Sequence, residues 1–226
     1  NIKAPELKIL LSNVLVRNPN HQDFVELVKH EKPDVIVALE VNQRWLGALN
    51  VLRNQYPYSI AKPREDSFGV AVYSRLPLLI KSVVSIGPSG LPSIFASIDT
   101  QAGPVDLIAT HPAPPLQDSF FQSRNTQLRD LAALAGKSSQ PLILAGDLNS
   151  TLWSAHYKVL ETQGRLRNAR KGFGLMATWP AILGPFGIPI DHILVSENIL
   201  VTNLRVGANI GSDHLPLIAE LRFNSD

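Results

Sequence analysis

GVAVYSRLPLLIKSVVSIGPSGLPSIFASIDTQAGPVDLIAT, residues 69–110, strings apolar runs together at 69–74, 79–86, 94–99 and 105–110 with no helical period between them. Pro77, Gly87, Pro88, Gly90 and Gly103 punctuate the runs, as turns between consecutive strands require. The flanking sequence behaves differently. LKILLSN (7–13), DVIVALE (34–40), LILAG (142–146) and IDHILVS (190–196) are apolar on both faces, as strands in the middle of a layered protein are. Helical periods fall between them at 20–31, 43–54, 118–136 and 153–163, the first with Asn20 as cap and Pro33 as stop. Further strands are predicted at 201–206 and 216–223. Helices among some strands and a helix-free meander in 69–110 exclude a purely doubly wound sheet. The expectation is an α/β (α+β) four-layer sandwich, two mixed β-sheets packed face to face with helices outside.

The chain has 226 residues, 45% of them hydrophobic and 18% charged, an ordinary globular balance that excludes disorder and fits one domain over 1–226. Its 21 Lys and Arg against 19 Asp and Glu leave a net charge of +2, which permits a polyanionic partner without demanding one. With no cysteine, disulfides, thiolate catalysis and Cys-based zinc sites are excluded. The long irregular stretches are 111–117 (HPAPPLQ) and 171–189 (KGFGLMATWPAILGPFGIP).

Polar residues close strands whose interiors are apolar. Asn13 ends LKILLSN, Glu40 ends DVIVALE, His111 follows VDLIAT, and Asp147 and Asn149 follow LILAG. Singly, each fits a cap or a turn. Together, at strand ends on one sheet edge, they converge on a cleft. GSDHLPL (211–217) crowds Asp213 and His214 into a place where a structural edge would use apolar residues, and Asp191 and His192 open the strand at 190–196. Oxygen ligands with no sulfur suit Mg²⁺ or Mn²⁺ better than zinc.

The set resembles the endonuclease/exonuclease/phosphatase superfamily, which includes deoxyribonucleases, abasic-site endonucleases, inositol polyphosphate 5-phosphatases and bacterial sphingomyelinases. SNV (12–14), ALEV (38–41), ATHPAP (109–114), GDLNS (146–150), IDHIL (190–194) and GSDHLPL match its motifs in order across almost the whole chain. The resemblance implies Glu40 as principal metal ligand with Asn13 and Asp213 nearby, and Asp147 and Asn149 positioning or activating water. It also implies that His111 contacts a phosphate oxygen and that Asp191 orients His214. Arg124 and Gln127 resemble a pattern that buttresses the site, and Arg124 and Trp179 are assigned to substrate contact. The family often has an Arg two positions before the orienting Asp and a Tyr after it, where this chain has Pro189 and His192. Calcineurin-like phosphoesterases share a Gly-Asp strand end but need a downstream Gly-Asn-His, which is absent.

The activity implied is metal-dependent hydrolysis of phosphate esters by in-line water attack, with nucleic acid the favoured partner. The apolar residues of 171–189, Phe173, Leu175, Met176, Trp179, Ile182, Leu183, Phe186 and Ile188, either fold inward as a satellite core or cradle an apolar substrate or a membrane. The second option makes a sphingomyelinase-like lipid phosphodiesterase the runner-up, and a non-catalytic binding module on the same fold is a third reading. Arg165, Arg167, Arg170 and Lys171 form a basic set suited to an anionic partner. A monomer is expected. Resemblance to exported or membrane-anchored bacterial members, the lack of Cys and the start at Asn1 suggest an extracytoplasmic protein anchored by an upstream segment.

Overall fold

A computed structural model describes residues 6–223; Asn1, on which the anchoring expectation turned, lies outside the described residues. The expected four layers are present. One sheet has the strand order β11-β12-β1-β2-β4-β3 and the other β5-β6-β7-β8-β10-β9. The first holds β1 (Leu7–Asn13), β2 (Val35–Leu39), β3 (Tyr58–Lys62), β4 (Val70–Ser74), β11 (Ile199–Val206) and β12 (Leu217–Phe223). The second holds β5 (Leu78–Ser85), β6 (Pro92–Thr100), β7 (Gly103–Thr110), β8 (Leu142–Asp147), β9 (Leu166–Asn168) and β10 (Asp191–Ser196). Residues 69–110 make the switch: β4 pairs antiparallel with β2, and the chain then crosses to the other sheet and lays down β5, β6 and β7 as an antiparallel meander.

Side-chain alternation builds the layers. Leu7, Ile9 and Leu11 of β1 face Ile143 and Ala145 of β8 in the core between the sheets, while Leu10 points outward to Phe24, Val28 and Trp45. Those partners lie on α1 (His21–Glu31) and α2 (Gln43–Leu49). On the other face Leu142 and Leu144 of β8 meet Leu128, Leu131, Tyr157 and Leu160 of α3 (Asp118–Ala135) and α4 (Ala155–Thr162). Both faces of the central strands are therefore apolar because each is covered.

Three local expectations are corrected. Asn20 makes no side-chain cap on α1; its side-chain nitrogen lies 2.4 Å from where a Cβ on Gly211 would stand, so the side chain packs closely against the Gly211 turn. The predicted helix over 43–54 is α-helical only to Leu49 and tightens into a 3₁₀ turn at Asn50–Leu52. The irregular stretch at 171–189 contains 3₁₀ turns over Ala181–Phe186, broken at Gly184 (φ 51°).

Candidate active site

Topology gathers the site. β1 runs parallel to β2 and β7 parallel to β8, so Asn13, Glu40, His111 and Asp147 all leave their strands at one edge. β10 runs antiparallel to β8 with Asp191 directly opposite Asp147, and β12 runs antiparallel to β1, so Asp191 and His214 enter from that edge. Gly146 lets β7 and β8 close up: a Cβ there would stand 2.0 Å from the Thr110 carbonyl oxygen. Glu40 and Asn149 both take left-handed backbone conformations, at φ 62° and 47°, which turn them off their strands into the cleft.

The buried polar groups form one connected cluster. The Asn13 side-chain amide donates to Glu40 Oε1 (3.0 Å) and to Asp147 Oδ2 (3.2 Å), linking two carboxylates. Glu40 Oε2 accepts from the Val16 amide at 3.2 Å. Asp147 Oδ2 lies 3.4 Å from His111 Nε2 and 3.7 Å from His214 Nε2, and Asp147 Oδ1 accepts from the Asn149 backbone amide at 2.9 Å. Asn149 Nδ2 donates to the Pro112 carbonyl at 3.0 Å and stands 3.3 Å from His111 Nε2. His214 Nδ1 is 2.8 Å from Asp191 Oδ2.

The charges follow from the geometry. Burial presses the His214 imidazole toward neutrality, but the charge and hydrogen bond of Asp191, with Asp147 and Asp213 behind them, more than offset this and bring its pKa up to about 10. Burial alone would raise the Asp147 carboxyl; the bond and charge of His111, the charge of His214 and the Asn149 amide instead bring it down to about 2. His111 is likewise buried, and Asp147 and Glu40 outweigh that burial and raise it.

The donor set fits a hard divalent cation. Ligand atoms of Asp147, Asp191 and His214 lie within 4.8 Å of one another; with His214 held as an imidazolium, the carboxylates of Asp147 and Asp191, together with Glu40, are the groups that could ligate. Asp191 Oδ1 and His111 Nδ1 are buried with no hydrogen-bond partner among the described residues, as expected of groups that await a ligand.

Other expected site residues are placed differently. Asp213 is exposed, and its carboxylate accepts from Trp179 Nε1 at 3.3 Å; no hydrogen bond joins it to Asn13 or Glu40 among the described residues. Arg124 is buried and gives Nη1 to the Asn149 carbonyl (2.6 Å) and its other nitrogens to Asn125, so the guanidinium braces the Asn149 loop, and it is not among the residues that line the cleft. Gln127 donates to Thr110 Oγ1 at 3.1 Å, behind His111. Trp179 is exposed and lines the cleft, its ring 6.4 Å from that of His214. Within the basic set, Arg170 is buried: it donates to the carbonyls of Leu175, Met176 and Asp191 and meets His192 Nδ1 at 3.3 Å.

His192 alternates with Asp191 and so points to the opposite face, onto the Tyr157 ring and the Ser150 carbonyl. Burial and then Arg170 take it down to about 3, a neutral packed imidazole with no acid–base role. Sequence reasoning also missed Ser212, whose hydroxyl donates to the Asn13 carbonyl (2.8 Å) and accepts from the His214 amide (3.1 Å). Thr178, whose hydroxyl accepts from the Asp191 amide at 3.3 Å, and Phe68, whose ring lies 5.6 Å from that of His111, were missed too. The serine was visible within GSDH; Thr178 and Phe68 carry no sequence signal because only tertiary packing brings them to the site.

Glu40, His111, Asp147, Asn149 and His214 form the floor of a cavity of about 770 Å³. Its walls are largely apolar, with Leu15, Phe68, Leu116, Phe120, Trp179 and Ile188 among them, and Arg17 is the one Lys or Arg among the lining residues described.

Solved structures share this fold. The catalytic domain of human Nocturnin, with bound sulfate, superposes with a TM-score of 0.79 at 18% identity, covering 98% of this chain and 96% of that one. D. rerio TDP2 complexed with single-strand DNA product gives 0.78 at 16% identity (96% and 98% covered). Sphingomyelinase C from Streptomyces griseocarneus gives 0.69 at 18% identity (96% and 99% covered). No curated protein sequence matches the chain. The family described as Endonuclease/Exonuclease/phosphatase matches residues 10–214, and with that span covering the cluster from Asn13 to His214, the chain belongs to this family.

Proposed function

We propose that the protein is a divalent-metal-dependent phosphodiesterase that hydrolyses its substrate by in-line attack of water on phosphorus. The observation that carries this reading is Asp147 set between two imidazoles, with Glu40 joined to it through the Asn13 amide. Glu40, with Asn13 beside it and the Asp147 and Asp191 carboxylates in reach, would hold Mg²⁺ or Mn²⁺. When bound, such an ion offsets charge that grows on the phosphoryl oxygens and the leaving group. Asp147, kept as a carboxylate, orients the attacking water, and the Asn149 loop fixes Asp147 from behind. His214, held as an imidazolium by Asp191, and His111 present N–H groups to phosphoryl oxygens.

The cleft walls bear on substrate class. Grooves for nucleic acid gather Lys and Arg along the backbone track. Here Arg17 stands among apolar walls, and Arg170 of the basic set is spent internally. This composition favours a phosphodiester that carries a hydrocarbon portion over a polynucleotide. The TDP2 relative with its DNA product supports the nucleic-acid reading, and the sphingomyelinase relative the lipid one.

Hydrolysis of bis(4-nitrophenyl) phosphate with Mg²⁺ or Mn²⁺, followed by a panel of phosphatidylcholine, sphingomyelin, single-stranded DNA and RNA, tests both levels. Turnover of the soluble diester that stops in excess chelator is expected. Full activity in chelator overturns the metal requirement, and no hydrolysis of any diester supports the non-catalytic reading.

A further inference from the structure

The segment 172–190 contains no Asp, Glu, Lys, Arg or His, and Thr178 is its one hydroxyl or amide side chain. Such a run would ordinarily be buried, and its two ends are held against the core: Phe173 and Met176, partly buried, pack on the core between the sheets, and Ile190 is buried beside Asp191. Its middle is not. Ile182 is 91% exposed and Phe186 89%, with Leu183 half exposed between them. The exposure is held there by structure. Trp179 N–H donates to the Ile188 carbonyl (3.0 Å) and Ile188 N–H back to the Trp179 carbonyl (2.6 Å), so residues 180–187 project from a pinned base. Trp179 and Ile188 of that base line the cleft, which places the projection at the mouth of the site. Across the mouth, the loop after β7 exposes Leu116 to 80% and presents Phe120 at the start of α3.

Single exposed apolar residues are normal, but a charge-free projection continuous with an apolar cleft is a binding surface. Its charge selects the partner. A polyanion would find no cation on the tip, whereas Ile, Leu, Phe and Trp side chains on a short projection complement the uncharged acyl region just beneath a headgroup layer. We infer that residues 180–188, with Leu116 and Phe120 opposite, dock the protein on a phospholipid bilayer and aim the cleft at a headgroup phosphodiester. This rests on the phosphodiesterase reading for its catalytic half, while docking itself can be measured without turnover.

The test uses phosphatidylcholine vesicles, with co-sedimentation and hydrolysis read separately. The wild-type chain is expected to sediment with vesicles and to remain bound in high salt, since the contact is apolar. Ile182→Ser/Phe186→Ser should weaken vesicle binding by about tenfold or more and slow hydrolysis of vesicle lipid in proportion, with kcat/KM on bis(4-nitrophenyl) phosphate unchanged. Leu116→Ser, on the opposite rim, should weaken binding in the same direction. All three positions are solvent-facing, and unchanged thermal unfolding checks that the variants fold. Failure of the wild type to bind vesicles, binding that disappears in high salt, or an equal loss of single-stranded DNA binding in the double variant would overturn the docking inference and leave the diesterase reading intact. Vesicle binding with no hydrolysis of any diester would do the reverse.

Discussion

Asp191 and His214 come from the start of β10 and the turn before β12, on different sheets, and meet with Asp191 Oδ2 2.8 Å from His214 Nδ1. The bond turns Nε2 of the imidazole toward Asp147, 3.7 Å away. A buried carboxylate that fixes an imidazole in this way acts with it as one unit. Asp191→Asn and His214→Ala are therefore each expected to lower kcat on a soluble diester by at least about tenfold, roughly 1.4 kcal/mol, with the double variant scarcely slower than either single. Additive losses in a double-mutant cycle would mean that the two groups act independently.

Glu40→Gln should abolish hydrolysis with little change in folding, because it removes ligand charge and almost no volume. Calorimetric titration of Mn²⁺ into wild type and variant checks the cause: weaker binding is expected, and wild-type affinity in an inactive variant would assign Glu40 another role.

The histidines of the second sheet and of the closing turn should titrate in opposite senses. In the metal-free protein, NMR should find His214 protonated through neutrality and losing its proton near pH 10, while His192 stays neutral down to about pH 3. The raised His214 value means that its contribution to stability is fully present below the ordinary 6.5 and is lost as pH rises through about 10. A His214 that titrates near 6.5 would show that Asp191 does not hold its charge.

Far from the cleft, Glu31 accepts from Arg205 and from Lys8 Nζ (3.0 Å). The Arg205 bond outweighs burial and takes the Glu31 pKa from its ordinary 4.5 down to about 2. A depressed carboxyl stabilises the fold above its unfolded value, and that contribution fades as pH falls toward the folded one. Glu31→Gln should cost about 1–2 kcal/mol at neutral pH, less than the full shift implies because Arg205 is partly in water. Denaturant unfolding should show the gap closing between pH 4.5 and about 2; a gap that persists would point to lost packing instead.

Arg170→Ala should destabilise the protein by about 3 kcal/mol, since it leaves the Met176 and Asp191 carbonyls unpaired in the interior. A basic residue held for substrate would lower affinity with no change in stability, and thermal unfolding beside KM separates the two.

The strands of the interior were legible because Ile36, Leu144 and Ile193 are apolar runs covered on both faces. Two strands were not. Tyr58–Lys62 lies at a sheet edge with its ends exposed and no side chain fully buried, and Leu166–Asn168 is a three-residue strand. Neither has enough burial to impress a period on its sequence. The site was legible as strand-end polar residues, from Asn13 to His214, for the same reason: an apolar strand makes its polar terminus conspicuous. Roles that depend on orientation were not legible. Asp213 and His192 each adjoin a cleft residue in sequence, and one turns to solvent while the other turns to Tyr157. Spacing cannot report that choice.

The paired Trp179 and Ile188 backbones have one more consequence. Every group proposed to touch phosphate stands on a strand end or the turn beside it, and the projection is tied to them only at its base, by the clasp and by the Ala181 N–H, which donates to the Asp213 carbonyl at 2.7 Å. Residues 182–187 can therefore be exchanged as a cassette: grafts of other sequences onto the same base would redirect the protein to new substrates while the hydrolytic machinery, untouched by the graft, keeps its intrinsic rate.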